Sequence, residues 1–371
     1  VMLAEMPEVS TDDAFSRARE ALRGFDSIAP AEAPAGFVGE LRSYQKEGLG
    51  WLHFLRDFGF GGCLADDMGL GKTIQVLALL EARRAAGSGP SLVGGPKSLV
   101  FNWQQEAERF TPRLRVLDHT GPQRQREALV STDDYDVVIT TYGTLRQDIA
   151  ALREIEFDYV VLDEAQAIKN PRTASAKAAR LLRGEHRLAL SGTPVENRLE
   201  ELWSLFEFLN PGMLGSSKLF SAAGVGATVA DVEARSLLAR ALRPFLLRRT
   251  KDQVARDLPE KQEQTLYVDL GPKQRKLYDE LRDHYRKALL GQIDKVGIKR
   301  SKIQILEALL RLRQAACHPG LLDPKRASEP GGKLDALVPM LIEAAAEGHK
   351  VLVFSQFTSM LALVRTRLDA E

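Results

Sequence analysis

The stretch Gly62-Cys63-Leu64-Ala65-Asp66-Asp67-Met68-Gly69-Leu70-Gly71-Lys72-Thr73 constrains the fold of this chain more than any other. A short apolar run enters a loop carrying two glycines, and Ile74 to about Ala85 then reads as a helix. A strand that turns directly into a helix is half of a strand-helix-strand crossover, which calls for a parallel neighbour and a covering layer of helices. The glycines let backbone N–H groups approach phosphate oxygens, and the helix N-terminus adds partial positive charge at the same point. Lys72 would reach the β- and γ-phosphates of a nucleotide, and the Thr73 hydroxyl would help hold Mg²⁺. Position 66 is Asp where the strict GxxxxGK[ST] pattern has Gly, so this is a variant loop. Strand, loop, Lys-Thr and helix in this order favour a phosphate cradle over a plain glycine turn.

From Phe37 to about Leu209 the same alternation continues. Apolar runs at Ser98–Phe101, Val137–Thr140, Tyr159–Leu162 and Leu188–Leu190 read as strands between amphipathic or polar segments, which predicts an α/β unit with a parallel sheet and helices on both faces. Ahead of it, Thr11–Gly24 reads as a helix and Ala29–Gly36 as a linker. After Asn210-Pro211-Gly212 the chain reads as mainly helical through Arg249, with further helices at Tyr267–Leu290 and at Ser301–Ala316, where Ile305, Leu309 and Leu312 are spaced for one apolar face. Lys333–Ala346 reads as a helix, Val351–Phe354 as a buried strand and Thr358–Leu368 as a helix. One strand with its neighbouring helices does not close an α/β layer, so the last domain is expected to be cut off near its start and the chain to be a fragment of a longer protein.

Composition sets the outer limits. A chain of 371 residues is expected to form two or three domains, and 44% hydrophobic against 27% charged residues excludes wholesale disorder. No apolar run reaches the ~18 residues of a membrane helix, and the acidic start (Glu5, Glu8, Asp12, Asp13) is not laid out as a signal peptide. Cys63 and Cys317, the two cysteines, form no CxxC pattern and are expected to be buried thiols. With 51 Lys+Arg against 50 Asp+Glu, total charge neither demands nor forbids a nucleic-acid partner. Local groups favour a polyanion: Arg240, Arg243, Arg248, Arg249, Lys251 and Arg256 in one, Lys295, Lys299, Arg300 and Lys302 in another.

Two more segments carry candidate chemistry. Tyr159-Val160-Val161-Leu162-Asp163-Glu164-Ala165-Gln166 delivers two carboxylates from an apolar strand. In that pattern Asp163 can hold a metal's water shell and Glu164 can orient and polarise an attacking water. Leu190-Ser191-Gly192-Thr193-Pro194-Val195-Glu196-Asn197 follows another apolar strand, and its hydroxyls could link the nucleotide end of the sheet to something bound elsewhere.

DDMGLGKT, DEAQ and SGTPVEN in this order resemble motifs I, II and III of superfamily-two helicase-like ATPases, and more narrowly those of the Swi/Snf remodelling and translocase family. Leu41-Arg42-Ser43-Tyr44-Gln45 with Gly50-Trp51-Leu52 resembles the family's adenine-recognising segment, with Ser43 in place of the commoner Pro. Gly95-Pro96-Lys97-Ser98-Leu99-Val100 with Asn102-Trp103 is similar to motif Ia, and Ile139-Thr140-Thr141-Tyr142-Gly143 to the next strand-end motif. Glu201-Leu202-Trp203-Ser204-Leu205, Pro244 to Lys251, and Arg313-Gln314-Ala315 with Cys317-His318-Pro319 narrow the resemblance to this family, and Val353 to Phe357 looks like motif IV.

The resemblance implies a RecA-like first lobe at 37–250 with a helical insertion at about 205–245. The N-terminal helix and linker read above occupy 1–36, and the resemblance continues with a linker, helical insertion and incomplete second RecA-like lobe at 251–371. ATP is expected on Arg42, Gln45, Asp67, Met68, Gly69, Leu70, Gly71, Lys72, Thr73, Ile74 and Gln166, with Mg²⁺ at Thr73 and Asp163. Lys72, Asp163 and Glu164 would be catalytic. Lys97, Ser98, Thr141, Tyr142, Asn197, Arg248 and Arg249 are expected on DNA, largely on its backbone.

The implied function is an ATP-dependent motor moving along double-stranded DNA without strand separation, as a monomer, in a nucleoid or nucleus, acting on a DNA-bound protein such as RNA polymerase or histones. The alternatives are a strand-separating helicase and a non-hydrolysing DNA-binding module. Motifs V and VI have no counterpart before Glu371, and an arginine finger is worth about 10³- to 10⁵-fold in rate, so residues 1–371 are expected to bind ATP and hydrolyse it weakly. Trp103 and Tyr142 are read as packing residues rather than base-stacking ones, and His119, His186 and His318 as structural.

Overall fold

The computed structural model describes residues 28–124, 126–192, 199–215, 238–255, 262–297 and 301–371. The chain divides into two units, Val1–Pro259 and Glu260–Glu371. The helix expected at Thr11–Gly24 lies outside the described residues. Among the described residues no helix is long and apolar enough to cross a membrane.

In the first unit the elements run α1 (Ser43–Asp57), β1 (Gly62–Leu64), α2 (Lys72–Ala85), β2 (Ser91–Gly95), α3 (Lys97–Phe110), β3 (Val116–His119), β4 (Val137–Thr141), α4 (Tyr142–Leu152), β5 (Glu156–Leu162), α5 (Ala174–Leu181), β6 (Arg183–Leu190), α6 (Leu199–Leu209), β7 (Leu246–Leu247) and the short α7 (Lys251–Val254). The strands form one seven-stranded sheet in the order β3-β4-β2-β5-β6-β1-β7, every pair parallel. Because strand side chains alternate, each strand feeds two cores. Leu64, Val93, Ile139, Val161 and Leu190 meet Leu49, Leu77, Val100 and Trp103 from α1, α2 and α3. Cys63, Leu92, Val138, Val160 and Ala189 meet Leu145, Leu152, Ala179 and Phe208 from α4, α5 and α6. The α/β expectation holds, and Cys63 is 2% exposed with its thiol pushed up to about 12 by burial.

Several element expectations are corrected. Ser98–Phe101 is not a strand but the first turns of α3. The strand is Ser91–Gly95, ended by Pro96, which has no N–H for a ladder and is well suited to a helix entry. The apolar residues that follow, Val100, Trp103 and Ala107, are buried at helical spacing. The segment expected to stay helical to Arg249 becomes extended at Leu246–Leu247, which pairs with β1. β3 shows no apolar alternation that would announce it: Val116 and Leu117 are partly buried, Asp118 is exposed and His119 is buried.

That edge strand is fastened by charge. Asp148 on α4 accepts from His119 Nε2 (2.9 Å), Arg124 Nε (2.5 Å) and Arg126 Nη2 (2.7 Å). The Arg124 bonds, reinforced by His119 and Arg126, outweigh burial and hold the carboxyl down to about 2.

The second unit contains α8 (Pro272–Val296), α9 (Lys302–Cys317), α10 (Gly332–Ala346) and α11 (Thr358–Leu368). The buried Gln274 amide ties three of them together, donating to Ala315 O (2.9 Å) and accepting from Gly332 N (3.1 Å). On α9 the inward residues are Ala308 and Ala315, while Leu309 is 53% exposed, so the expected Ile305-Leu309-Leu312 face is rotated from the buried one. Cys317 is half-buried rather than buried, and His318 caps a turn by accepting from Gly320 N (3.0 Å). Val351–Phe354 is not a strand: among the described residues it has no ladder partner, and Phe354 is 87% exposed.

A carboxyl depressed on folding adds stability above its unfolded range and loses it as pH falls through that range toward the folded value. Asp148→Asn should therefore lose about 2 kcal/mol at neutral pH relative to the parent in urea unfolding. The gap should close as the pH falls from 5 to about 2, because Asp148 itself titrates between its ordinary 3.8 and about 2.

Candidate nucleotide site

The sheet register builds the site before any side chain is considered. Cys63 of β1 and Leu162 of β5 both lie level with Ala189 of β6. The loop after β1 and the carboxylates after β5 therefore leave the same sheet edge on either side of β6, about 10 Å apart at two strand spacings. On the other flank Gly95 of β2 is level with Thr141 of β4, which brings the starts of α3 and α4 to that edge.

Gly69 and Gly71 take φ of 86° and 76°, and a Cβ on Gly71 would stand 2.6 Å from Gln45 Nε2. Both the backbone conformation and the close approach exclude a side chain there. Leu70 is buried, and its carbonyl accepts from Tyr44 OH (3.2 Å) and Gln45 Nε2 (3.1 Å), while Gln45 Oε1 accepts from Arg42 N (2.9 Å). The segment expected to read adenine thus also holds the loop. Lys72 opens α2 and donates from Nζ to Asp66 O (2.6 Å) and Asp67 O (3.3 Å). Burial pulls its pKa down, opposed by the charges of Asp66, Asp163, Glu164 and Asp67. Thr73 and Ile74 follow, half-buried, and Met68 stands 67% exposed.

Asp66, the departure from the glycine pattern, is fully buried and paired with Arg249. Arg249 Nε and Nη2 donate to its Oδ1 (3.0 Å) and Oδ2 (2.5 Å), and the same guanidinium donates to Gln75 Oε1 (3.0 Å) and to Tyr44 O. Alternation along the extended backbone explains the orientation: Arg248 is exposed and Arg249, 7% exposed, turns inward. The expectation that Arg249 contacts DNA is corrected accordingly, because its donors are spent inside the fold. Nearby, Lys251 N donates to Asp67 Oδ2 (3.1 Å), and Lys251 Nζ lies 3.6 Å from where a Cβ on Gly69 would be.

Across β6, Asp163 is 6% exposed. Its Oδ2 accepts from Trp103 Nε1 (2.8 Å), its Oδ1 from Glu164 N (2.8 Å), and its carbonyl from Tyr142 OH (2.8 Å). Burial raises its pKa, against the Trp103 bond, the Glu164 N–H and the charge of Lys72. Glu164 sits in the left-handed region at φ 49°, the one non-glycine residue to do so among the described residues. This turn presents its carboxylate to Gln166 Nε2 (2.7 Å), and Ser191 Oγ reaches Gln166 Oε1 (3.4 Å). The second and third segments are thereby joined, and Gly192 touches the loop: a Cβ on it would meet Met68 Cγ at 2.9 Å.

Of the residues expected on DNA, Lys97 and Ser98 are exposed at the start of α3, and Arg248 is exposed. Thr141 Oγ1 caps α4 by accepting from Thr144 N (3.1 Å), and Tyr142 is engaged with Asp163. Asn197 lies outside the described residues. The bond from Trp103 to Asp163, the Asp66–Arg249 pair and the approach of Lys251 to the loop were not read from the sequence. The indole signal was present only as an aromatic beside an apolar run, and Lys251 only as one of a basic group.

The SNF2-related domain matches residues 44–321. This chain belongs to the SNF2-related family. The SNF2-related chain is 38% identical over 360 residues to the putative ATP-dependent helicase/translocase YwqA of Bacillus subtilis, covering 94% of this chain and 39% of that protein. To the TATA-binding protein-associated factor mot1 of Schizosaccharomyces pombe it is 35% identical over 409 residues, covering 90% of this chain and 21% of that one. The solved Sulfolobus solfataricus SWI2/SNF2 ATPase core in complex with dsDNA superposes with a TM-score of 0.58 at 38% identity, over 94% of this chain and 72% of that one. The chain thus spans well under half the length of the curated relatives it matches. The seven-stranded parallel sheet with its helices is the RecA-like fold of that core.

Removing one partner of a buried ion pair leaves an uncompensated charge, at a cost of about 3–5 kcal/mol. Arg249→Ala should lose that much in urea unfolding, whereas the double variant Arg249→Met with Asp66→Ala should recover most of it.

Proposed function

We propose that this chain is the ATP-binding and hydrolysing part of a motor that moves along double-stranded DNA without separating the strands. The observation that carries the reading is the convergence at one sheet edge of the Gly69–Gly71 loop, the Lys72 ammonium and the Asp163-Glu164 pair, with Lys72 and Asp163 within electrostatic reach of each other. A loop of left-handed glycines at a helix N-terminus suits a polyphosphate. The donor set of Thr73 hydroxyl and Asp163 carboxylate, all hard oxygen, fits Mg²⁺, which these residues would hold and which would supply charge neutralisation to the reacting phosphates.

In this reading the backbone N–H groups from Gly69 to Thr73 and the Lys72 ammonium bind the phosphates. Asp163, fixed by its hydrogen bonds, faces the metal's water shell. Glu164, held through Gln166, orients and polarises the attacking water. Because Gln166 also meets Ser191 on the third segment, a change in the water-orienting group is felt at the end of β6. Lys97, Ser98 and Arg248 supply exposed polar contacts for a phosphate backbone, which is bound without sequence preference. The relative named as a TATA-binding protein-associated factor and the solved core in complex with dsDNA support work on a DNA-bound protein in contact with duplex DNA; we read the motor as a monomer.

The test is hydrolysis by the full-length protein with duplex DNA, single strands or RNA as stimulant, run beside triplex-displacement and strand-displacement assays. Duplex DNA should stimulate, a third strand should be displaced and the duplex should stay paired. Lys72→Ala should lower the rate at least about 100-fold. Strand displacement by the parent would favour a helicase, and equal DNA behaviour of parent and Lys72→Ala with and without ATP would leave a binding module.

A further inference from the structure

Two aromatic side chains from different helices end on Asp163. Trp103, 2% exposed on α3, donates its indole N–H to Oδ2 at 2.8 Å. Tyr142, at the start of α4, donates its hydroxyl to the Asp163 carbonyl at 2.8 Å. With Oδ1 taken by Glu164 N at 2.8 Å, both carboxylate oxygens and the main-chain oxygen of this residue are held by fixed donors. Trp103 has a full core environment for its ring, among Val100, Ala107 and Val161 in one cluster, so packing alone accounts for the ring but not for the aim of its N–H at a buried carboxylate.

We infer that Trp103 and Tyr142 are positioning residues for the metal-facing Asp163, and that α3 is the lever through which contact at its exposed start reaches the nucleotide site. The inference rests on the proposed nucleotide site. An indole N–H on Oδ2 fixes the rotation of the carboxylate and leaves its remaining lone pairs directed toward the metal's water shell. Partners of this kind typically change metal affinity about 10- to 100-fold when removed. α3 begins at Lys97, with Ser98 next, both exposed, and Trp103 sits about 9 Å along the same helix axis. A polyanion drawn to that end bears on a core-packed helix that also carries the Trp103 bond to Asp163. Tyr142 gives α4 the same attachment.

The experiment uses the full-length protein and a fluorescent ATP analogue, titrating Mg²⁺ at fixed nucleotide, and measures hydrolysis with and without duplex DNA. Trp103→Phe keeps an aromatic ring and deletes the donor; Tyr142→Phe deletes one oxygen. Both should bind nucleotide without metal as the parent does, yet Trp103→Phe should need about 10- to 100-fold more Mg²⁺ for half-saturation, and Tyr142→Phe should shift in the same direction. The ratio of DNA-stimulated to basal rate should fall with Trp103→Phe. A purely structural role would lower the thermal midpoint and leave the Mg²⁺ half-saturation where it was. If Trp103→Phe fails to fold, Tyr142→Phe decides. An unchanged Mg²⁺ requirement in the folded variants overturns the inference, whereas a parent that ignores nucleotide, or a Lys72→Ala variant that binds it normally, overturns the functional reading instead.

Discussion

The buried pair of Asp66 and Arg249 is the constraint on which the nucleotide end of the first unit depends. A carboxylate with no exposed surface is tolerated only where cationic donors meet it, and Arg249 supplies two of its own N–H groups with good geometry. Its remaining donors reach Gln75 on α2 and the Tyr44 carbonyl on α1. One side chain therefore fastens the end of β7, the first residue past Ala65 and two helices. The backbone follows: Ala65 N donates to Leu247 O (2.7 Å) and Asp67 N to Arg249 O (3.0 Å). The edge strand β7, only two residues long, would be marginal by its ladder alone; the ion pair anchors it. This is also why Asp at 66 is compatible with the glycine loop: its carboxylate is turned into the core and leaves Gly69 and Gly71 downstream to shape the turn.

On the other side of β6 the same economy applies to Asp163. Burial alone would favour its neutral form, and the N–H groups of Trp103 and Glu164 with the Lys72 charge oppose that. The site is thus a small polar network set at the end of a dry sheet, with the carboxylate oxygens of Asp66 and Asp163 and the Leu70 carbonyl each matched to a donor. Its parts come from loops and strand ends that share no stretch of sequence: Tyr44 and Gln45 ahead of β1, the glycine loop after it, Trp103 on α3, Asp163 after β5, Ser191 after β6 and Arg249 beyond β7.

Much of this was legible in the residues. The glycine loop, the two carboxylates and the strands at Gly62, Val137, Tyr159 and Leu188 were readable because strand cores here are short apolar runs punctuated by glycine or acid. Ser98–Phe101 misled because four apolar-leaning residues fit either period, and the deciding residue, Pro96, sits just outside the run. β3 and β7 were missed because an edge strand is only half covered and two residues carry no period. Val351–Phe354 has a strand's composition, yet a strand exists only through its ladder, and none lies beside it among the described residues. The basic group around Arg248 and Arg249 was read as one surface, although extended backbone sends the neighbours to opposite sides.

What the sequence by itself determined is the chemistry available and its order: a glycine-flanked Lys-Thr at a helix start, an Asp-Glu pair at a strand end, and a fold class that follows from alternating periods. These are local properties, set by backbone sterics and by the spacing of apolar residues over one or two turns. Which side chain meets which was decided only by tertiary structure. The sheet order places β6 between the loop and the carboxylates, packing aims Trp103 at Asp163, and Asp66 selects Arg249 from a run of cations 183 positions away. Such choices depend on the cost of burying a charge or a donor without a partner, and that cost exists only once distant segments have closed water out.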